Sequence, residues 1–439
     1  MTWQKNKRNR SRWLVAGCLL GLVWSVLNAG FQQAFVRIGS GAHWQTLPVS
    51  YRIHAGGLPG LGNGSEFIAV QRAFDTWQNL PTSSIAFRYE GTTPVQNGGN
   101  DGVNIISFQD TSFSFGTGTI AVTLSSSSQG IFRDADILFN PSTPSITFAT
   151  DGRSDGFDIQ AIATHEIGHF LGLDHTSIIS ATMNPTGARG TVFPRALKSD
   201  DIIGASMLYP ETAFLSATGG LRGRITNAGA NVFGAHVVAL DAEGNAAVST
   251  LTELDGTYQI SGLLPGSYAL YAEPLDGPVT ESSIGGQYDS RVNVNFTTTF
   301  LGGTLNPAQR QSVQISAGST LQGISIAVSP TPVAALNLTS PGLGQRVELG
   351  TSVAFNARGD GIVDGVTFQI PGPAISLAAP VFSGGNTARL TATVDAAASI
   401  GVRPIFAQRA DATSALTGGL IITGQPPTLS SIQPATGMN

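Results

Sequence analysis

Residues 165–175 of this 439-residue chain read His-Glu-Ile-Gly-His-Phe-Leu-Gly-Leu-Asp-His, and no other stretch limits the fold as tightly. His165 and His169 are four apart, so on a helix both rings leave the same face, about 6 Å apart along the axis. That spacing lets both reach a single ion at Zn–N distances of about 2.0–2.1 Å. Gly172 can take positive φ and end the helix sharply. The chain then turns back and offers His175 as a third ligand. Three neutral imidazoles leave a fourth tetrahedral position for water, which marks a catalytic Zn2+ site rather than a closed structural one. Zinc brings the pKa of such a water toward about 7 and polarises a carbonyl. Glu166, beside the first histidine, is the candidate base that takes the proton and passes it to a leaving group. Three of the six histidines fall in these eleven residues. His43, His54 and His236 show no metal-ligand spacing and read as structural.

The flanking sequence supplies the frame for such a helix. Asp158 is a candidate N-cap for a helix over 158–171, with Ile159, Ile162, Ala163 and Phe170 near one face. A helix over 65–80 carries Phe67, Val70, Phe74 and Trp77 at three- and four-residue spacing and stops at Pro81. Val49 to Ile53 alternates with period two, as a half-buried strand does. Residues 103–108 and 135–139 are further strand candidates, and the Ser/Gly/Thr-rich stretch 111–130 between them reads as a loop. A short helix is expected over 200–208, ending before Pro210. The whole is an α+β domain.

Past residue 215 the helical period is gone. Short alternating runs, cut every eight to twelve residues by Gly, Pro, Asn or Asp, predict two all-β sandwiches. The expected organisation is a signal peptide at 1–29, a catalytic domain at 30–215, β-sandwiches at 218–329 and 333–425, and a tail at 426–439. Ser329-Pro330-Thr331-Pro332 reads as the linker between the sandwiches. The spacing Leu336…Pro341…Gly344 recurs at Leu429…Pro434…Gly437, as though the tail opened another module.

The first dozen residues carry Lys5, Lys7, Arg8, Arg10 and Arg12, followed by an apolar run over 13–27 and the small residues Ala29 and Gly30. This is the pattern of a secretory leader, and the run is short for a membrane span. No integral membrane span is expected in the mature chain. Cys18, the only cysteine, lies inside the leader, so the mature chain would use neither disulfides nor thiolates. Val15-Ala16-Gly17-Cys18 loosely matches a lipoprotein cleavage box, but most of the apolar run follows it. Charged residues make up 12% and the net charge is −5. With no basic block beyond the leader, nucleic-acid binding has no support. Low charge with abundant Gly fits an extracellular, turn-rich protein, secreted or held at the cell surface.

His165-Glu166-x-x-His169-x-x-Gly172-x-x-His175, with Met183 eight residues on in Ala181-Thr182-Met183-Asn184-Pro185, resembles the metzincin clan and within it the matrixins. The resemblance spans about 44–210 and implies a zincin-like fold and a zinc endopeptidase acting on proteins or peptides. It makes Met183 an apolar Met-turn beneath the histidines. The Tyr that astacins and serralysins carry two residues after that Met is absent here. Residues 111–136 contain no histidine, so the structural zinc site of animal matrixins does not carry over. The short stretch after the leader leaves no room for an inhibitory propeptide, and a cysteine switch is absent. Asp134, Asp136, Asp151, Asp155 and Asp158 are acidic positions where the family analogy suggests Ca2+. Turn and capping roles are the competing reading.

Leu221-Arg222-Gly223-Arg224-Ile225, Asp255-Gly256-Thr257-Tyr258 and Leu264-Pro265-Gly266-Ser267-Tyr268 resemble the carboxypeptidase regulatory-like (transthyretin-like) β-sandwich. Residues 333–425 are similar to an immunoglobulin-like domain of the IPT/TIG kind. Such modules imply spacers or binders of extracellular polymer or protein. Arg358-Gly359-Asp360 reads as a turn between strands. Ile178, Ile179 and Val192, near the Met-turn, suggest an apolar specificity pocket. Two other readings stay open: a surface adhesion or scaffold protein with a relic protease domain, and a zinc amidohydrolase acting on non-peptide bonds.

Overall fold

A computed structural model describes residues 41–141, 146–285 and 288–425. The expected leader with Cys18, and the expected tail with its repeated opening, lie outside the described residues.

The first unit is a five-stranded sheet packed on helices. Its strands are β1 (Val49–His54), β2 (Phe87–Thr93), β3 (Ile105–Ser107), β4 (Ala121–Ser128) and β5 (Ile131–Phe139), in the order β2-β1-β3-β5-β4. All neighbours are parallel except β4, which runs antiparallel to β5 at the edge. Alternation in β1 sends Val49, Tyr51 and Ile53 into the core. Helix α1 (Ser65–Gln78) answers with Val70, Phe74 and Trp77. Phe74 stacks on Tyr51 at 3.7 Å between ring centroids, and meets Phe170 of α2 (Ile159–Leu171) edge-on at 5.7 Å. Trp77 buries its ring and donates its Nε1–H to the carbonyl of Thr164, 2.8 Å away. Helix α1 thus fixes the height of α2 against the sheet. A third helix, α3 (Ser199–Leu208), closes the unit.

Strand β4 corrects the loop expected over 111–130. Its sequence, Ala-Val-Thr-Leu-Ser-Ser-Ser-Ser, offers few strand-favouring side chains. Pairing with β5, from Ala121 with Phe139 to Ser128 with Ile131 and shifted in register once between Ser126 and Ser127, holds it extended anyway. An edge strand half open to solvent tolerates serines on its outer positions.

Two β-sandwiches follow. In the first, Gly219–Asn227, Thr257–Leu263 and Ile326–Pro330 share one sheet, while His236–Leu240, Ala246–Leu251 and Gly266–Glu273 share the other. In the second, the long pair Gly401–Arg409 and Ala412–Thr423 faces the pair Ser352–Arg358 and Thr387–Val394. Half of the expected linker belongs to the first sandwich, since Ser329 and Pro330 pair with Thr297 and Phe296. The three units are not strung as beads. One hydrophobic cluster runs from Met183 and Leu208 into Leu221, Ile260 and Leu263. Another gathers Ile178, Tyr271, Phe300 and Phe406 from all three units.

No helix among the described residues is long and apolar enough to cross a membrane.

Candidate metal centre and cleft

Helix α2 starts where Asp158, in extended conformation, accepts the Ala161 N–H at 2.9 Å. The same carboxylate pairs with Arg195, through Nε at 2.7 Å and through Nη2. At the other end Gly172 takes φ 112°, and its N–H and that of Leu173 return to His169 and Gly168. The last carbonyls of α2 find partners too: Phe170 accepts from Trp44 Nε1 at 2.8 Å and Leu171 from the Tyr209 hydroxyl at 2.7 Å.

Gly172 is required twice over. A Cβ there would sit 2.2 Å from the Ala42 carbonyl oxygen, on backbone pinned beside β5 through His43. Gly172→Ala is expected to lower stability by about 3 kcal/mol, adding backbone strain to the clash. Urea unfolding followed at the α2 tryptophan contacts checks it.

The turn delivers His175 to His165 and His169. Nε2 of His175 lies 3.1 Å from Nε2 of His169 and 3.3 Å from that of His165. Around a tetrahedral ion with arms of about 2.05 Å the expected edge is about 3.3 Å, so the three nitrogens fit zinc. Each Nδ1 is bound to a backbone carbonyl: His165 to Thr182 at 2.7 Å, His169 to Leu173 at 2.8 Å and His175 to Ser283 at 2.5 Å. Those bonds put the proton on Nδ1 and turn every Nε2 lone pair to the common point. Burial lowers the pKa of all three, that of His175 to about 4, which keeps the rings neutral. Among the described residues this is the one group of three or more His, Cys, Asp or Glu side chains placed to share a metal ion.

Glu166 is buried beside the triad. The Thr123 hydroxyl, on β4, stands 2.7 Å from its Oε2. Burial raises the Glu166 pKa, while His165 and Thr123 oppose the shift. Met183 is buried, 2% exposed, with its thioether against Gly168 of α2. Its placement depends on two features the sequence reading did not single out. Asp201 accepts the N–H groups of Met183 at 3.0 Å, Thr182 at 2.9 Å and Lys198 at 2.8 Å, clamping the turn. Gly168 makes room: a Cβ there would lie 2.1 Å from Met183 Sδ and 3.1 Å from the Trp77 ring. Gly168→Ala is expected to lose about 1–2 kcal/mol despite its better helix propensity, because the new Cβ must displace the buried side chains of Met183 and Trp77. In a double-mutant cycle by thermal unfolding, the loss shrinks when Met183→Ala is already present.

The acidic positions suggested for calcium make the following hydrogen bonds and ion pair. Asp134 accepts from Gly102, Asp136 from Gly99 and Ile105, and Asp158 caps α2. Asp151 accepts the Arg153 N–H, and Asp155 pairs with the Arg153 guanidinium at the surface. The apolar trio near the Met-turn divides. Ile179 reaches the cleft, Ile178 is buried between the sandwiches, and Val192 packs toward Gly152. Ile178 is withdrawn because both sandwiches close over its segment, which the sequence of the first unit gave no sign of.

The triad opens on a cleft of about 640 Å³, walled by residues 117–123 of the β4 side, by Asn184 to Gly187 after the Met-turn, and by Ser282 and Ser283. Among the described lining residues Glu166 is the one Asp, Glu, Lys or Arg.

Comparison with known proteins agrees with this geometry. The matrixin family model matches residues 43–210, and the carboxypeptidase regulatory-like domain matches residues 220–329. The chain therefore carries a matrixin domain followed by a carboxypeptidase regulatory-like domain. Matrilysin of Rattus norvegicus is 43% identical over 60 residues, 14% of this chain and 22% of its own. Matrix metalloproteinase-16 of Homo sapiens is 29% identical over 175 residues, 39% of this chain and 28% of its own. Metalloendoproteinase 1 of Glycine max is 32% identical over 155 residues, 29% of this chain and 45% of its own. The chain thus spans less than half the length of each of these relatives.

Proposed function

We propose that the chain is a secreted zinc endopeptidase that hydrolyses protein or peptide substrates outside the cell. The observation that carries this is the convergence of three neutral imidazoles, with His175 Nε2 3.1 and 3.3 Å from the other two, beside a buried carboxylate on an open cleft.

In this reading His165, His169 and His175 hold zinc, which when bound supplies Lewis acidity toward a peptide carbonyl and acidifies water. Glu166 takes the proton of the attacking water as oxygen adds to the carbonyl carbon. As the C–N bond breaks, the same carboxyl returns the proton to the departing amine, so one water is consumed per bond. Thr123 holds Oε2, leaving the other carboxylate oxygen to handle the proton. Gly172 turns His175 into place, and Met183 is the apolar floor that fixes the histidine rings. Support for the peptide class comes from the matrixin match, and support for secretion from the leader pattern alone.

The uncharged cleft sets a preference. Peptides with small or apolar residues flanking the scissile bond are expected to be cleaved at least about tenfold faster, in kcat/KM, than those with Asp, Glu, Lys or Arg there. A peptide library assayed with and without a zinc chelator tests both points. Cleavage must vanish with the chelator and return with zinc. A library that stays intact, or cleavage indifferent to chelation, contradicts the proposal.

A further inference from the structure

The third histidine is not held by the matrixin domain alone. Its Nδ1 partner, the Ser283 carbonyl, belongs to the carboxypeptidase regulatory-like domain, 108 residues away in sequence. Two further contacts come from the same segment. The Gly285 N–H donates to the Asp174 carboxylate at 3.2 Å, and that oxygen also receives the His175 N–H at 2.7 Å. Ser282 and Ser283 form part of the cleft wall. The segment is anchored from behind, where Ile284 is buried with Leu251, Leu275 and Val279. The stretch from His175 toward the Met-turn is held in the same way. Ile179 N–H donates to the Thr417 carbonyl at 2.9 Å, and the Thr176 hydroxyl lies 3.3 Å from that of Ser249.

We propose that residues 280–285 of the first β-sandwich are a working part of the metal centre, with the Ser283 carbonyl as positioning group for His175. The other two ligands take their Nδ1 partners from within the matrixin domain, Thr182 and Leu173. His175 takes its partner from outside, so its tautomer and ring angle depend on domain packing. The inference rests on the proposed reading of His175 as a metal ligand.

The geometry supplies two independent ways to move the segment in the full chain. In Gly285→Ala the new Cβ meets an Asp174 carboxylate oxygen at 2.5 Å, forcing the two apart. In Ile284→Ala the anchor behind Ser283 is removed without touching the metal site. Gly277→Ala is the control: it lies on the same connection, and its Cβ would approach nothing closer than 4.0 Å. Zinc affinity is measured by competition with a chromophoric chelator. The visible absorption of the cobalt(II)-substituted protein reports ligand geometry, and melting curves check folding.

Both displacing variants are expected to bind zinc about 10–100-fold more weakly and to show an altered cobalt spectrum, the control neither. If Gly285→Ala does not fold, Ile284→Ala decides. Wild-type affinity and spectrum in the folded displacing variants overturn the inference, as does equal weakening in the control. Wild type that binds no zinc fails the metal-site reading itself. Wild type that binds zinc and cleaves peptides while the displacing variants bind unchanged fails this inference alone.

Discussion

Glu166→Gln is expected to keep its zinc and lose proteolysis, with kcat lower by roughly 10²–10⁴-fold. Glutamine preserves the volume of a buried side chain, and its amide can still meet the Thr123 hydroxyl, now 2.7 Å from Oε2. The three imidazoles and their carbonyl partners are untouched, so metal content stays at the wild-type level. What disappears is the one group at the triad able to take a proton from water and give it to an amine. Elemental analysis and turnover of a fluorogenic peptide, measured on the same preparation, separate the two effects. Proteolysis surviving at the wild-type rate would remove Glu166 from its proposed role.

His169→Ala is expected to abolish both metal binding and cleavage. The His169 ring lies 4.9 Å from that of His165 and 4.7 Å from that of His175 between centroids, one corner of a nearly equilateral triangle, so its loss leaves two ligands. It also removes the Nδ1 bond to Leu173 in the Gly172 turn. In wild type, zinc binding to the folded state adds about 4 kcal/mol at a thousandfold excess over Kd. The variant's melting temperature should no longer respond to added zinc. A zinc-dependent rise of wild-type size in His169→Ala would place the metal elsewhere.

The parts of the site set by local geometry were readable from sequence. Four-residue spacing on a helix, a glycine to end it and a third histidine after the turn are constraints within eleven residues, and the Asp158 cap is one more short-range rule. The amphipathic stripe of α1 was equally plain, because Val70, Phe74 and Trp77 face one core. What escaped depends on residues far apart in the chain. Strand β4 is extended by its pairing with β5 rather than by its serine run, so Thr123 lay in a stretch read as loop. Asp201 clamps the Met-turn from eighteen residues on, and its carboxylate looked like any acidic residue in a first helical turn. Ser283 serves through its backbone carbonyl, which no side-chain pattern announces. The sandwiches were legible as separate modules, while their packing across Ile178 and Ile179 was not.

The most direct measurement is the zinc content of the purified full chain, taken by elemental analysis alongside casein cleavage. A zinc endopeptidase built as described gives about one zinc per folded chain, and cleavage that a chelator stops and zinc restores. Folded protein that takes up no zinc, even after equilibration with the metal, would contradict the three-histidine centre and the function drawn from it.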